Sequence, residues 1–147
     1  MVTPLLTTKL YIPHARPGLV SRQRLIEQLN AGLSCSLTLV SAPAGYGKTI
    51  LLSEWINKNK LPTGWLTLDK DDNDPLRFWS YCVKALQTIR PNIGESALKL
   101  LQLPPPSPIE PIVTTIINEM SEVSEELALV LDERLADPGF HMIRDFQ

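Results

Sequence analysis

The residues with the most chemistry to offer are eight in a row: Ala42, Pro43, Ala44, Gly45, Tyr46, Gly47, Lys48 and Thr49. Gly45 and Gly47 permit a tight turn whose backbone N–H groups point at one anion, and they keep side chains out of its way. Lys48 brings a cation to the terminal phosphates of a nucleotide, and the Thr49 hydroxyl is suited to magnesium. The alternative is an ordinary turn with a chance lysine. The flanks favour the phosphate cradle, or P-loop, because an apolar stretch precedes it and a helical pattern follows. Ala42 replaces the usual first glycine, at a position that closes the turn. The ligand expected is ATP or GTP with Mg2+.

A second acidic element lies far downstream. Leu127 to Leu131 is an apolar run that leads into Asp132 and Glu133. A carboxylate at the tip of a buried strand can orient the water shell of a phosphate-bound magnesium ion, which makes Asp132 the metal partner beside Thr49. Glu133 is the candidate general base for an attacking water. Taken alone, a strand ending in Asp is a weak signal; behind a P-loop it is a stronger one. The run Lys70 to Asp74 lacks the glycine and distal glutamate of a calcium loop, and is expected to be a solvated loop that ends in a helix cap.

The elements that would carry these residues alternate. Residues 1–20 hold Pro4, Pro13 and Pro17 and read as an extended N-terminal arm. Ser21 is placed to cap a helix that Gly32 stops. Leu37 to Ser41 reads as a buried strand, and the next helix has Leu51, Leu52, Trp55 and Ile56 on one face. Gly64 to Leu68 is a second strand. Asp74 caps a helix with Pro75 in its first turn and a stripe of Phe78, Trp79, Cys82, Val83, Leu86 and Ile89. Pro104, Pro105, Pro106 and Pro108 make a stiff connection. Ser107 to Glu110 matches a capping box, with Pro108 at the first helical position, ahead of a helix burying Ile112, Val113, Ile116, Ile117 and Met120. One more short helix is expected near Asp137. The pattern predicts an α/β fold with a mostly parallel sheet, residues 21–147 forming one domain.

Composition narrows the function. A chain of 147 residues with 44% apolar and 20% charged side chains can bury one ordinary core. Its net charge of −2 shows no basic excess, so direct DNA or RNA binding is not expected. Cys35 and Cys82 read as reduced core thiols. No stretch suits a membrane span or a signal peptide, and a cytoplasmic location is expected.

The residues also carry a family likeness. Thr8 to Pro13, Arg16-Pro17, Leu19-Val20, Arg22 to Gly32, Leu37 to Thr49, Asp72 to Pro75 with Arg77 to Trp79, and Leu129 to Asp132 resemble the N-terminal part of the large MalT-like regulators of the LuxR group. These belong to the STAND class of P-loop ATPases. The resemblance implies a three-layer P-loop NTPase domain, incomplete on its C-terminal side, that acts as an ATP-binding switch and hydrolyses ATP weakly at most. It places Val20 and Arg22 near the adenine. The family's inducer-binding and DNA-binding domains have no counterpart here. Without the family's later strands, self-association or a partner supplying strands is expected. A small phosphotransferase and an inactive remnant are the competing readings; the first needs an arginine-bearing lid, for which only Arg77 and Arg90 are on offer.

Overall fold

The computed structural model describes residues 5–14, 22–34, 38, 40, 47–104 and 108–133. They belong to two compact units. One comprises Met1–Tyr11 with Pro62–Gln147, the other Ile12–Leu61.

The larger unit is built on two parallel strands, β1 (Thr63–Leu68) and β2 (Ala128–Glu133), in register from Thr63 against Ala128 to Leu68 against Glu133. Successive β1 residues Gly64, Trp65 and Leu66 are all buried, as in a strand covered on both faces. Parallel strands require a crossover, and three helices supply it: α3 (Pro75–Gln87), α4 (Glu95–Gln102) and α5 (Ile109–Ser121). Helices α1 (Gln23–Gly32) and α2 (Lys48–Lys58) belong to the smaller unit.

Helix α3 starts as its sequence requires. The Asp74 carboxylate accepts the Leu76 N–H at 3.2 Å, and Pro75 occupies the first turn. It lies close on β1, because a Cβ on Gly64 would stand 2.8 Å from the Ala85 carbonyl oxygen. Leu66, Leu68, Trp79, Cys82, Val83, Ala97, Ile112 and Ile116 form the core. Leu5 and Leu10, from either end of a 3-10 turn at Thr7–Leu10, pack against it. This turn falls within the stretch expected to be extended.

Three local expectations differ from the structure. Helix α4 was not anticipated. In α5 the buried residues are Ile112 and Ile116, while Ile117 is 55% exposed. Five apolar positions span more of the helix than one face can bury, and Ile117 lies about 100° around from Ile116. Pro108 is the residue before α5, with extended torsions, and not its first helical residue. Ser107, its expected cap, lies outside the described residues.

In the smaller unit, α1 buries Ile26 and Leu29, and α2 buries Leu51, Ser53 and Trp55. The Trp55 indole N–H donates to Asn30 Oδ1 at 2.9 Å, joining the two helices. Lys58 in the last turn of α2 pairs with Glu54 at 2.9 Å, where a cation also suits the helix dipole. Of the expected strand Leu37 to Ser41 only Thr38 and Val40 are described, and neither is in a strand; the Ser21 cap, Cys35 and the helix near Asp137 lie outside the described residues.

Candidate functional site

The phosphate-cradle residues that are described open α2. Gly47 has φ 73° and ψ 32°, a left-handed conformation that costs an L side chain roughly 1–2 kcal/mol. Lys48 and Thr49 are the first residues of the helix, and the Gly47 carbonyl already accepts the Leu51 N–H at 2.9 Å. No acidic residue stands in this first turn. Arg22, directly ahead of α1, brings its guanidinium to Gly47: its Cζ lies 3.4 Å from where a Cβ would be, with Nη2 nearer still. Ala42, Pro43, Ala44, Gly45, Tyr46 and Val20 lie outside the described residues.

The acidic candidates sit on β2. Asp132 is 8% exposed and stands opposite Thr67. Glu133, at the strand's last position opposite Leu68, is exposed. Alternation along a strand sends these neighbours to opposite faces. Among the described residues, no group of three or more His, Cys, Asp or Glu side chains is arranged to hold a metal ion by itself. Magnesium held mainly by water and phosphate does not need such a group.

The most developed polar cluster is one that sequence reasoning missed. Asp72 is 2% exposed, not solvated. Its Oδ2 meets the Lys9 ammonium, its Oδ1 accepts from Arg77 Nε at 3.2 Å, and Oδ2 also accepts the Asp69 N–H at 2.9 Å. Lys9 Nζ reaches Asp69 Oδ2 at 3.0 Å and sits 4.3 Å from the centre of the Tyr81 ring. Arg77 stacks on the same ring at 5.3 Å, and the Tyr81 hydroxyl accepts the Leu6 N–H at 3.0 Å. The acidic run is thus a 3-10 turn, Lys70–Asn73, whose carboxylates cap it and hold the N-terminal segment.

The charges balance inside this cluster. Partial burial pushes the Asp69 carboxyl up, but the Lys9 hydrogen bond, the Asp71 N–H and the Lys9 and Arg77 charges outweigh it and hold the group below the usual carboxylate range. Desolvation works against the Arg77 charge, yet the hydrogen bond to Asp72 and the neighbouring negative charges raise its pKa overall. Burial, with the Asp72 charge behind it, pushes the Cys82 thiol up to about 12. Two carboxylates and two cations satisfy one another, which leaves a structural fastening and no open acid or base. Lys9 lies within the family-like stretch Thr8 to Pro13, and nothing local pairs it with residues sixty positions away.

An open cleft of about 410 Å³, lined by Arg90, Asn92, Ile93, Glu119, Glu122, Val123 and Ser124, holds none of the expected phosphate or metal residues. Its Arg90 is paired with Glu125.

The described elements define an α/β protein with parallel strands joined through helices. Known proteins narrow this further. Over 135 residues the chain is 32% identical to the serine/threonine-protein kinase PknK of Mycobacterium tuberculosis, covering 89% of this chain and 12% of PknK. It is 35% identical over 129 residues to the HTH-type transcriptional regulator MalT of Serratia proteamaculans, covering 88% and 14%. With MalT of Vibrio cholerae it shares 30% identity over 138 residues, covering 94% and 14%. No family model matches the chain. The chain is therefore related to the MalT-like regulators, as its motifs suggest, and spans about one-eighth to one-seventh of these relatives' length. No described helix is long and apolar enough to cross a membrane.

Proposed function

We propose that this chain is a nucleotide-binding switch segment of a MalT-like transcriptional regulator, built as part of a P-loop NTPase domain and working in the cytoplasm. The observation that carries the proposal is the left-handed Gly47 followed at once by Lys48 and Thr49 at the start of α2, with no acid in the first turn. A helix start and an adjacent lysine attract phosphate, and a side chain at Gly47 would fill the approach. The chemistry of the residues fits ATP with Mg2+: the loop amides and Lys48 for phosphate, and the Thr49 hydroxyl for the ion. The regulatory role is taken from the MalT relatives, whose name gives it to them.

Binding is proposed without appreciable turnover. A charge-stabilising arginine can be worth ~10³ or more in rate. The described arginines that follow the loop, Arg77 and Arg90, are already held by Asp72 and Glu125. A turnover near one per second that Glu133→Gln abolishes would contradict this part. For the binding itself, calorimetry of Mg-ATP with the full chain should show a saturable heat that Lys48→Ala removes. Equal affinity in the two proteins, or no binding by the wild type, overturns the proposal.

A further inference from the structure

We propose that the N-terminal segment Leu5–Tyr11 is an exchangeable strap: its seat on the larger unit also accepts the same segment of a second copy of this chain, so that two chains pair by trading straps. This goes beyond the nucleotide reading and does not depend on it.

The chain's path makes the exchange possible. It leaves the larger unit after Tyr11, forms the smaller unit over residues 12–61 and returns at Pro62. The strap is held on its seat by non-covalent contacts, and its covalent link to that seat runs through a separately packed unit. A segment held in this way can be traded between copies with its contacts kept, which is a favourable route to a closed dimer.

The contacts are those of a peptide in a binding site. The strap carries its own shape: the Leu6 carbonyl accepts the Lys9 N–H at 3.2 Å, and the Thr8 carbonyl accepts the Tyr11 N–H at 3.3 Å. It lays Leu5 and Leu10 on the core and gives the Leu6 N–H to the Tyr81 hydroxyl. It sends Lys9 to Asp72 and Asp69, over the Tyr81 ring. The seat is fixed by its own unit. Asp72 accepts from the Asp69 N–H and from Arg77 Nε, and Asp69 Oδ1 accepts the Asp71 N–H at 2.9 Å. These bonds do not involve the strap, so a vacated seat keeps two carboxylates placed for one ammonium. Leaving a buried carboxylate short of its cation is unfavourable, and the seat refills. At low concentration the chain's own strap returns. Once the chain concentration approaches the effective concentration of the tethered strap, a second copy competes. The seat selects a lysine followed at once by an apolar residue, with another apolar residue four positions before it, and a second copy presents that same pattern.

The experiment mixes two full-length variants. Lys9→Met has a sound seat and a defective strap, and Asp72→Leu has the reverse. Alone, each forms only mismatched seats. Mixed, exchange puts Lys9 on Asp72 in one seat and the two substituted apolar side chains together in the other. Sedimentation should show a 1:1 dimer at concentrations where each variant alone is a monomer. A mixture of folded variants that stays monomeric overturns the proposal. Wild type gives a second measurement that needs neither variant to fold. It should dimerise as its concentration rises towards about 1 mM. An excess of the free peptide Leu5–Tyr11 should dissolve that dimer, and the same peptide carrying Lys9→Met should be weaker by about a hundredfold. Wild type that remains monomeric over this range, a dimer that the peptide leaves intact, or equal potency of the two peptides overturns the proposal.

Discussion

The two units of the molecule treat positive charge in opposite ways. In the larger unit, Lys9 and Arg77 are met by Asp72 and Asp69 inside a largely buried cluster that also uses the Tyr81 ring. In the smaller unit, Arg22 and Lys48 stand at helix starts whose first turns contain no acid. The first arrangement is complete without a ligand. The second places each cation at the positive end of a helix dipole. The comparison separates charge enclosed among carboxylates from charge at helix starts, and each half can be broken separately.

The largest effect is expected at Lys9. Its ammonium is almost wholly enclosed, and Asp72 has no exposed side-chain surface. Removing one partner of a buried pair leaves the other charge uncompensated, typically at 3–5 kcal/mol. Arg77 and the Asp69 N–H still hold Asp72, so Lys9→Met should lower unfolding stability by about 3 kcal/mol in urea titration. The double variant Lys9→Met with Asp72→Leu should recover part of that loss. A single variant as stable as wild type would show that the cluster fastens nothing.

Next comes Gly64→Ala, expected to cost about 2 kcal/mol by the same titration. The new methyl would meet the Ala85 carbonyl at 2.8 Å, a backbone atom in the middle of α3 that cannot swing aside. The smaller unit differs here too, since what a side chain at Gly47 would meet is the flexible end of Arg22. A neutral Gly64→Ala would mean that β1 and α3 have slack the structure does not show.

This contrast also explains what could be read in the sequence. Elements with strong local signals were legible: α2 behind its glycines, α3 behind Asp74-Pro75, β1 and β2 as short apolar runs. Helix α4 was not, because its eight residues sit between Arg90-Pro91 and a proline run, and its apolar positions make barely two turns. The left-handed Gly47 ahead of α2 is legible because a glycine followed by a helical pattern is a local signal. The fastening around Asp72 is not, because its partners meet only after folding: Lys9 lies 63 positions away. A row of acids in a loop reads as solvated until the incoming cation is seen. Likewise, nothing in the spacing of Arg22 and Gly47 announces that they touch.

No effect at neutral pH, and one confined to alkaline pH, is expected from Cys82. The thiol is buried beside the Asp72 charge, and its pKa is about 12 in the fold against an ordinary 9.0. A folded pKa raised above the unfolded one stabilises fully below the unfolded value and is lost as pH rises towards the folded one. Between pH 9 and 12 the wild type should therefore lose about 1.4 kcal/mol per pH unit relative to Cys82→Ala, with no such difference at pH 7. Parallel pH profiles for the two proteins would place the thiol in contact with water.

The smallest stability change, and the one that most sharpens the comparison, is expected from Lys48→Ala without nucleotide. Lys9 and Lys48 are the same residue type in opposite settings. Removing Lys9 strips a charge from two carboxylates. Removing Lys48 takes a positive charge from the positive end of α2, and alanine is the better helix former. Stability should change by no more than about 0.5 kcal/mol, in the stabilising direction. Adding Mg-ATP should then reverse the order. Wild type gains stability as ligand exceeds its dissociation constant, by about 2.7 kcal/mol at a hundredfold excess, while the variant gains nothing. Unfolding curves of both proteins with and without Mg-ATP give all four numbers. If Lys48→Ala instead costs as much as Lys9→Met in the absence of ligand, Lys48 is part of the scaffold, and the division between enclosed charge and charge at a helix start fails.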